Sequence, residues 1–357
     1  MRWPSSSSVT FATLTTFACL TGVVVAACSS SSEATNDAAS AELGAANYDK
    51  TCALCHGKNG EGYAADNATA LNNPTFLATA SDVFLRRSIA RGRPGTTMSA
   101  WDRPHGGPYD DNAIAGIASY IRSWQTAPSV TLPTSSIVGD ATHGATVYAS
   151  TCASCHGGTG TEGPNVRLAN AEFLAIASDA FLEYAIVHGR PGTAMKAFEG
   201  QLSAQDIHDV VALLRSWAKP VVNGDVPIPG SLGPIVLNAD GPDPNFVVGN
   251  RFTPADTIKA EFDRGAAMGF LDARAPSDYV TSHIAGANDV PFYEASDYVF
   301  ALPKDKWLVA YCGCPHAESG QLLDTLVANG FTKVTILDEG FFTWVSRGYP
   351  VRSGPNP

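Results

Sequence analysis

One internal repeat constrains this chain more than any other feature. "GAANYDKTCALCHG", from Gly44, and "GATVYASTCASCHG", from Gly144, keep their Gly, Tyr, both Cys and the His in register. Further along, "FLATASDVFLRRSIARGRPGTTM" matches "FLAIASDAFLEYAIVHGRPGTAM", and the copies close on "DDNAIAGIASYIRSW" and "SAQDIHDVVALLRSW". These closing stretches space their apolar residues as amphipathic helices do. Two long copies predict two similar helical domains, because solenoid repeats are shorter and need more copies to bury a core. Between the copies, "QTAPSVTLPTSSIVGD" is polar and Pro-containing, as a linker is. A longer joint rich in Pro and Gly follows Trp217. Beyond it, runs such as "WLVAYC" and "KVTIL" alternate with helical stretches such as "SGQLLDTLVANG". That alternation predicts a parallel sheet flanked by helices.

With 357 residues and an apolar fraction of 45%, the chain has material for several cored domains. Its formal charge of −11 argues against nucleic acid and against an anionic membrane surface, and favours a partner with a basic docking patch. The N-terminus reads as a targeting segment: Arg2, then an apolar run from Phe11 to Val25 that is short for a membrane span. "VVVAAC" places small residues before Cys28, and a Ser-rich tether follows. This resembles a bacterial lipoprotein signal, with Cys28 lipidated and the Ser after it implying the outer membrane. Ordinary secretory cleavage, or an uncleaved anchor, with Cys28 a bystander, is the alternative. Either way, the rest of the chain is expected outside the cytoplasm.

Of the eight cysteines, Cys19 lies in the leader and Cys28 at its end. Cys52 with Cys55, and Cys152 with Cys155, form the two Cys-x-x-Cys-His motifs, in which His56 and His156 complete the triplets. That spacing is the attachment signature of c-type haem. A zinc site needs four ligands, and neither copy holds a second Cys pair. A thiol redox motif belongs beside a βαβ unit, and these copies are helical. Only four methionines occur, yet Met98 and Met195 stand at matching places in "GRPGTTM" and "GRPGTAM".

The repeats therefore resemble class I cytochrome c domains. The resemblance implies two covalently bound haem c groups, held through Cys52, Cys55, Cys152 and Cys155. His56 and Met98 are implied as axial ligands of one iron, and His156 and Met195 of the other. His/Met ligation fills both axial positions and raises the reduction potential, which suits electron transfer and not ligand chemistry. Gly44 with Tyr48, and Gly144 with Tyr148, are implied at the crossing of the first and last helices. Pro164 is implied as the carbonyl that orients the His156 ring, with "GYAADN" in its place in the first copy. His105, His143 and His208 are expected at the surface, and His188 is an alternative ligand near the second methionine.

"FLDARAPSDYVTSHIAGANDVPF" and the run from "WLVAYC" to "DEGFFTW" and "GYP" resemble a rhodanese domain, with Asp272, Arg274, His283 and Cys312 at matching places. The resemblance implies Cys312 as a persulfide nucleophile at the foot of a loop ahead of a helix N-terminus. Here the loop reads "CGCPHAES": Glu318 stands where the family carries an anion-binding Arg, and Pro315 removes one N–H. A carboxylate at the rim repels a dianion such as thiosulfate. Cys314 is a candidate resolving thiol and His316 a candidate base.

The expected architecture is multidomain: two all-α cytochrome c domains followed by an α/β rhodanese-like domain. The boundaries are a signal peptide at 1–27, a tether at 28–40, cytochrome domains at 41–126 and 141–219 with a linker at 127–140, a Pro/Gly-rich linker at 220–251, and the rhodanese-like domain at 252–354. The expected function is extracytoplasmic one-electron transfer between respiratory partner proteins, coupled to a small sulfur compound at Cys312 and Cys314. The alternative is a pure electron carrier whose last domain is a docking module. No nucleic acid is expected, and membrane contact only through the lipid.

Overall fold

The computed structural model describes residues 42–65, 67–221, 226–227, 229, 231–313 and 316–357. Cys28, Cys314 and Pro315 therefore lie outside the described residues. No helix among the described residues is long and apolar enough to cross a membrane.

Each repeat forms a small helical lobe, and the same cap chemistry starts its helices in both copies. Asn73 and Asn170 accept from the backbone N–H three residues on and open Pro74–Thr79 and Ala171–Ile176. Ser81 and Ser178 do the same for Asp82–Arg91 and Asp179–His188. Such caps satisfy N–H groups that the helix itself leaves without partners. The closing helices, Asp111–Arg122 and Ala204–Ser216, start at Asp110 and at a Ser203/Asp206 capping box.

The first and last helices of each lobe cross at the glycine, as the resemblance implied. A Cβ on Gly44 would lie 2.1 Å from the Gly116 carbonyl oxygen, and one on Gly144 would lie 2.0 Å from that of Asp209. Tyr48 and Tyr148 fill the crossing and donate to the Gly57 and Gly157 carbonyls at 2.8 and 2.9 Å. Trp124 and Trp217 meet these tyrosines edge-on at 5.1 and 5.0 Å. The copies differ in one turn: the first helix runs through a π-helical segment, Tyr48–Cys52, where its counterpart Ala141–Thr151 stays α-helical.

The two lobes pack through the most strongly repeated stretch of sequence, and the contacts are reciprocal. Asn73 donates to the Pro191 carbonyl at 2.8 Å, and its counterpart Asn170 donates to the Pro94 carbonyl at 3.0 Å. Phe84 and Phe181 meet with tilted rings at 4.9 Å, Arg93 lies 5.7 Å over Phe173, and Arg190 lies 5.9 Å over Phe76. Glu172, nearly buried, pairs with Arg87 and Arg91 at 3.2 and 3.3 Å.

The C-terminal lobe is a five-stranded parallel sheet in the order β1 (Phe252–Thr253), β6 (Val334–Leu337), β5 (Trp307–Tyr311), β2 (Met268–Asp272), β4 (Ala287–Asp289). A short antiparallel pair, β3 (His283–Ile284) with β7 (Val351–Arg352), stands apart. Every residue of β2, β5 and β6 is buried, because helices such as Ala255–Asp263 and Ala317–Ala328 cover the sheet. The Pro/Gly-rich stretch before this lobe is not an open joint. Leu237 donates to Met268, Gly233 to the Asn288 side chain, and Val226 to Pro104 in the first helical lobe. The shorter linker is likewise pinned, with Val130 donating to Ala78 and Ile137 to Asp179.

The glycine crossings give a direct test. Gly144→Ala should destabilise the protein by about 1–3 kcal/mol through overpacking against backbone that cannot move aside. A lower thermal midpoint in the haem-loaded protein is the expected reading. An unchanged midpoint would mean that the helices do not cross this closely.

Candidate functional site

In each repeat, a one-turn helix, Ala53–His56 or Ala153–His156, follows directly on the first cysteine of the motif and places the second cysteine and the histidine. The Tyr hydroxyl bond to the glycine after the histidine ties that turn to the helix crossing. Cys52 is buried and Cys55 half-buried, while Cys152 is half-buried and Cys155 exposed. Burial pushes the Cys52 and Cys152 thiols up to about 11, so neither is a ready thiolate of the thiol-redox kind.

Each histidine ring is fixed by its Nδ1. His56 reaches the Thr69 carbonyl at 2.8 Å, and His156 the Val166 carbonyl at 2.8 Å. Burial lowers both imidazole pKa values, which keeps the rings neutral. A neutral ring with its proton on Nδ1 leaves the Nε2 lone pair for a metal. The orienting carbonyl in the second copy is that of Val166, two residues beyond the Pro164 implied by resemblance. The first copy, despite "GYAADN", gains the same bond through Thr69.

The methionine loops are built alike, hydrogen bond for hydrogen bond. Arg93 donates to the Met98 carbonyl at 2.7 Å, the Thr96 hydroxyl donates to the Arg93 carbonyl at 2.7 Å, and Met98 N–H donates to that hydroxyl at 3.1 Å. In the second copy Arg190, Thr193 and Met195 repeat these bonds at 2.7, 2.8 and 3.1 Å. Both methionines are half-buried and pack on the apolar core that includes Tyr48 and Tyr148. Two thiols, a neutral imidazole with its tautomer fixed, and a thioether carried on a rigid loop are a donor set that fits a c-type haem. Among the described residues, no three His, Cys, Asp or Glu side chains converge as another metal centre.

The other histidines divide. His143 is exposed and pairs with Asp209 at 2.8 Å, and His208 is half-buried against Glu183 at 3.1 Å. His188 is exposed and packs on the Tyr184 ring at 4.1 Å. His105 corrects the surface expectation: it is 7% exposed and bonded to Asp102.

In the α/β lobe, Cys312 sits at the C-terminal end of β5, beside the end of β2. Ligand crevices of parallel sheets open at that end, where the order of connections reverses. Its Sγ lies 3.3 Å from Ser319 Oγ, on the helix that follows, and its carbonyl accepts from Phe341 at 2.9 Å. Arg274 grips Asp272 through Nε and Nη2 at 2.9 and 2.6 Å and lies 4.0 Å over the Phe341 ring. Burial opposes its charge, but the Asp272 carboxylate overrides that and raises the Arg274 pKa. One expectation changes here: Glu318 is 5% exposed and not at a rim. Cys312 is fully buried, and His316, the candidate base, pairs with Asp338 at 2.8 Å.

The burial has a neighbour that sequence reasoning missed. A Cβ on Gly313, next to Cys312, would lie 3.6 Å from Thr97 Cα, next to Met98. Ser99 donates to Asp278 at 2.5 Å, and Tyr293 donates to the Gly106 carbonyl at 3.0 Å. Trp101 packs on Phe292 and Tyr293, and the Ala317–Ala328 helix lies against Ala53–His56. The only signal in the sequence was the stretch from Met98 to Trp124, four residues longer than Met195 to Trp217 and containing "RPHGGP". That insertion carries Gly106 to the α/β lobe.

Comparison with known proteins assigns each part. Residues 39–121 and 139–214 both match the family described as cytochrome c oxidase, cbb3-type, subunit III, and residues 254–347 match the rhodanese-like domain. A cytochrome c6 of Thermosynechococcus vestitus is 33% identical over 25% of this chain and 85% of its own length. The CcoP subunit of a cbb3-type cytochrome c oxidase from Azospirillum brasilense is 35% identical over 24% of this chain, which spans only 29% of that subunit. The thiosulfate sulfurtransferase GlpE of Pseudomonas fluorescens is 34% identical over 28% of this chain and 88% of its own length. Cytochrome c domains imply covalently bound haem c. By its helical part and its α/β part, the chain belongs to the cytochrome c and rhodanese-like families.

Proposed function

We propose that this protein is an extracytoplasmic dihaem cytochrome c that relays single electrons between respiratory partners, with a sulfur site at Cys312 set against its first haem lobe. The observation that carries the reading is the duplication itself: two Cys-x-x-Cys-His turns, each with its imidazole locked on a carbonyl, and two methionine loops with matching hydrogen bonds. His56 with Met98, and His156 with Met195, would hold the irons, and Cys52, Cys55, Cys152 and Cys155 would hold the porphyrins. A haem c held by His and Met supplies reversible one-electron exchange at a comparatively high potential. The chain's own part is to orient the imidazoles, keep the thioethers in place and limit water. Cys28 is the proposed lipid anchor, and the acidic surface suits a partner with a basic patch.

At Cys312, sulfane sulfur would arrive from a persulfide donor. Its S–S bond breaks as a new one forms to Cys312 Sγ, and the donor leaves as a thiol. Cys314 is the proposed resolving thiol: joined to the outer sulfur of the Cys312 persulfide it would close a trisulfide, giving up two protons and two electrons, which the two ferric haems would accept one each. Glu318 in place of the family's anion-binding Arg leaves the loop without that cation for a dianionic donor such as thiosulfate. One observation favours a second reading. Cys312 is fully buried beneath a lobe contact, which suits an α/β lobe that only docks.

Two measurements separate these readings. Alkaline pyridine spectra should give two haems per chain, and Met195→His should move one of two redox transitions to lower potential and leave the other in place. One haem per chain would remove the dihaem reading. Anaerobic mixing of the oxidised protein with a small persulfide should reduce the haems, at least tenfold more slowly in Cys312→Ser. Equal rates in both proteins would leave the carrier with a docking module.

A further inference from the structure

The two methionine loops share sequence and hydrogen bonds but not surroundings. After Met195 comes Lys196, exposed to solvent. After Met98 comes Ser99, 2% exposed, whose hydroxyl donates to Asp278 of the α/β lobe at 2.5 Å. On the other side of Met98, Thr97 backs onto Gly313. Asp278 is itself 9% exposed and lies on the short helix Pro276–Thr281, which is anchored to the sheet through the Arg274 bond to the Ser282 carbonyl at 2.7 Å. Burial of the whole motif follows the same asymmetry. His56 is buried where His156 is half-buried, and Cys55 is half-buried where Cys155 is exposed.

We propose that the α/β lobe clamps the first axial-methionine loop, with Asp278 as a positioning residue that acts on Met98 through Ser99. The proposal rests on the ligand reading above for Met98. For another donor to take the iron, the methionine and the loop that carries it must make room. Here the residues on both sides of Met98 are held by another lobe, so making room requires breaking the Ser99–Asp278 bond and parting Thr97 from Gly313. The second loop has no such restraint at the matching position, because Lys196 faces water. The repeat thus provides its own control: same donors, same loop bonds, one clamp.

The test uses the full haem-loaded chain in a Met195→His background, in which only Met98 gives a sulfur-to-iron charge-transfer band. Imidazole is titrated into the ferric protein, and the concentration that halves the band is read. The expected tenfold change corresponds to about 1.4 kcal/mol, the order of one buried hydrogen bond. Ser99→Ala and Asp278→Ala should each lower the half-point about tenfold, while Asp278→Asn, which keeps an acceptor of the same size, should stay within about twofold of the parent. In the converse Met98→His background, Lys196→Ala should leave the half-point unchanged. Half-points within twofold across the Ser99 and Asp278 variants would overturn the clamp and leave the ligand reading intact. So would a Lys196→Ala shift as large as theirs. Absence of the band in the Met195→His parent would remove Met98 as a ligand, and the clamp with it.

Discussion

The segment Pro94–Ser99 is the one on which the three lobes converge. Its Pro94 and Gly95 carbonyls accept from Asn170 and Arg167 of the second helical lobe, Thr97 backs onto Gly313, and Ser99 holds Asp278. Arg167 also lies 5.5 Å over Phe342 of the α/β lobe, closing the triangle. The segment can serve in this way because its own backbone is already fixed. Thr96 bridges the Arg93 carbonyl and the Met98 N–H, so the loop presents its carbonyls outward in one arrangement. Ordering entropy is spent locally, within the loop, before any lobe docks.

Duplication then explains why two lobes meet as they do. Asn73 and Asn170 first cap their own helices, and the amide nitrogens left over reach across to the opposite methionine loop. A residue kept for local reasons becomes a contact of twofold character. The α/β lobe breaks that symmetry because only the first copy carries the "RPHGGP" insertion, and only its Met loop ends in a small hydroxyl residue and not a lysine. Two sites with one donor set therefore sit in different dielectric surroundings, and dielectric is a main means by which a protein tunes a metal centre.

Much of this was legible in the sequence. Cys-x-x-Cys-His, the paired methionines, the Gly and Tyr of the helix crossing, and the strand ending at Cys312 are all local patterns with a fixed physical meaning, and the Gly/Tyr crossing and the strand end stand where expected in the fold. What escaped was relational. The carbonyl facing His156 belongs to Val166 and not Pro164, because loop path and not residue type decides which oxygen points inward. His105 looked like a surface residue in a polar run, yet Asp102 and the lobe contact bury it. The Pro/Gly-rich joint looked open because composition reports only stiffness. Its pairing with Met268 and Asn288 depends on a sheet formed by residues far along the chain.

Access and shielding pull in opposite directions at Cys312. A thiol used freely by diffusing substrates is expected at the foot of an open crevice, but this one is sealed, with Thr97 behind the adjoining Gly313. A thiol that served docking alone would have no need of Ser319 Oγ at 3.3 Å or of the helix starting at Ala317 just beyond it. In the proposed sulfur site both features would favour charge on sulfur. The lobe contact that covers the site is made of a few directional bonds, Ser99 to Asp278 and Tyr293 to Gly106, around one aromatic patch at Trp101. The arrangement fits the proposed sulfur site, closed against the first methionine loop by that contact.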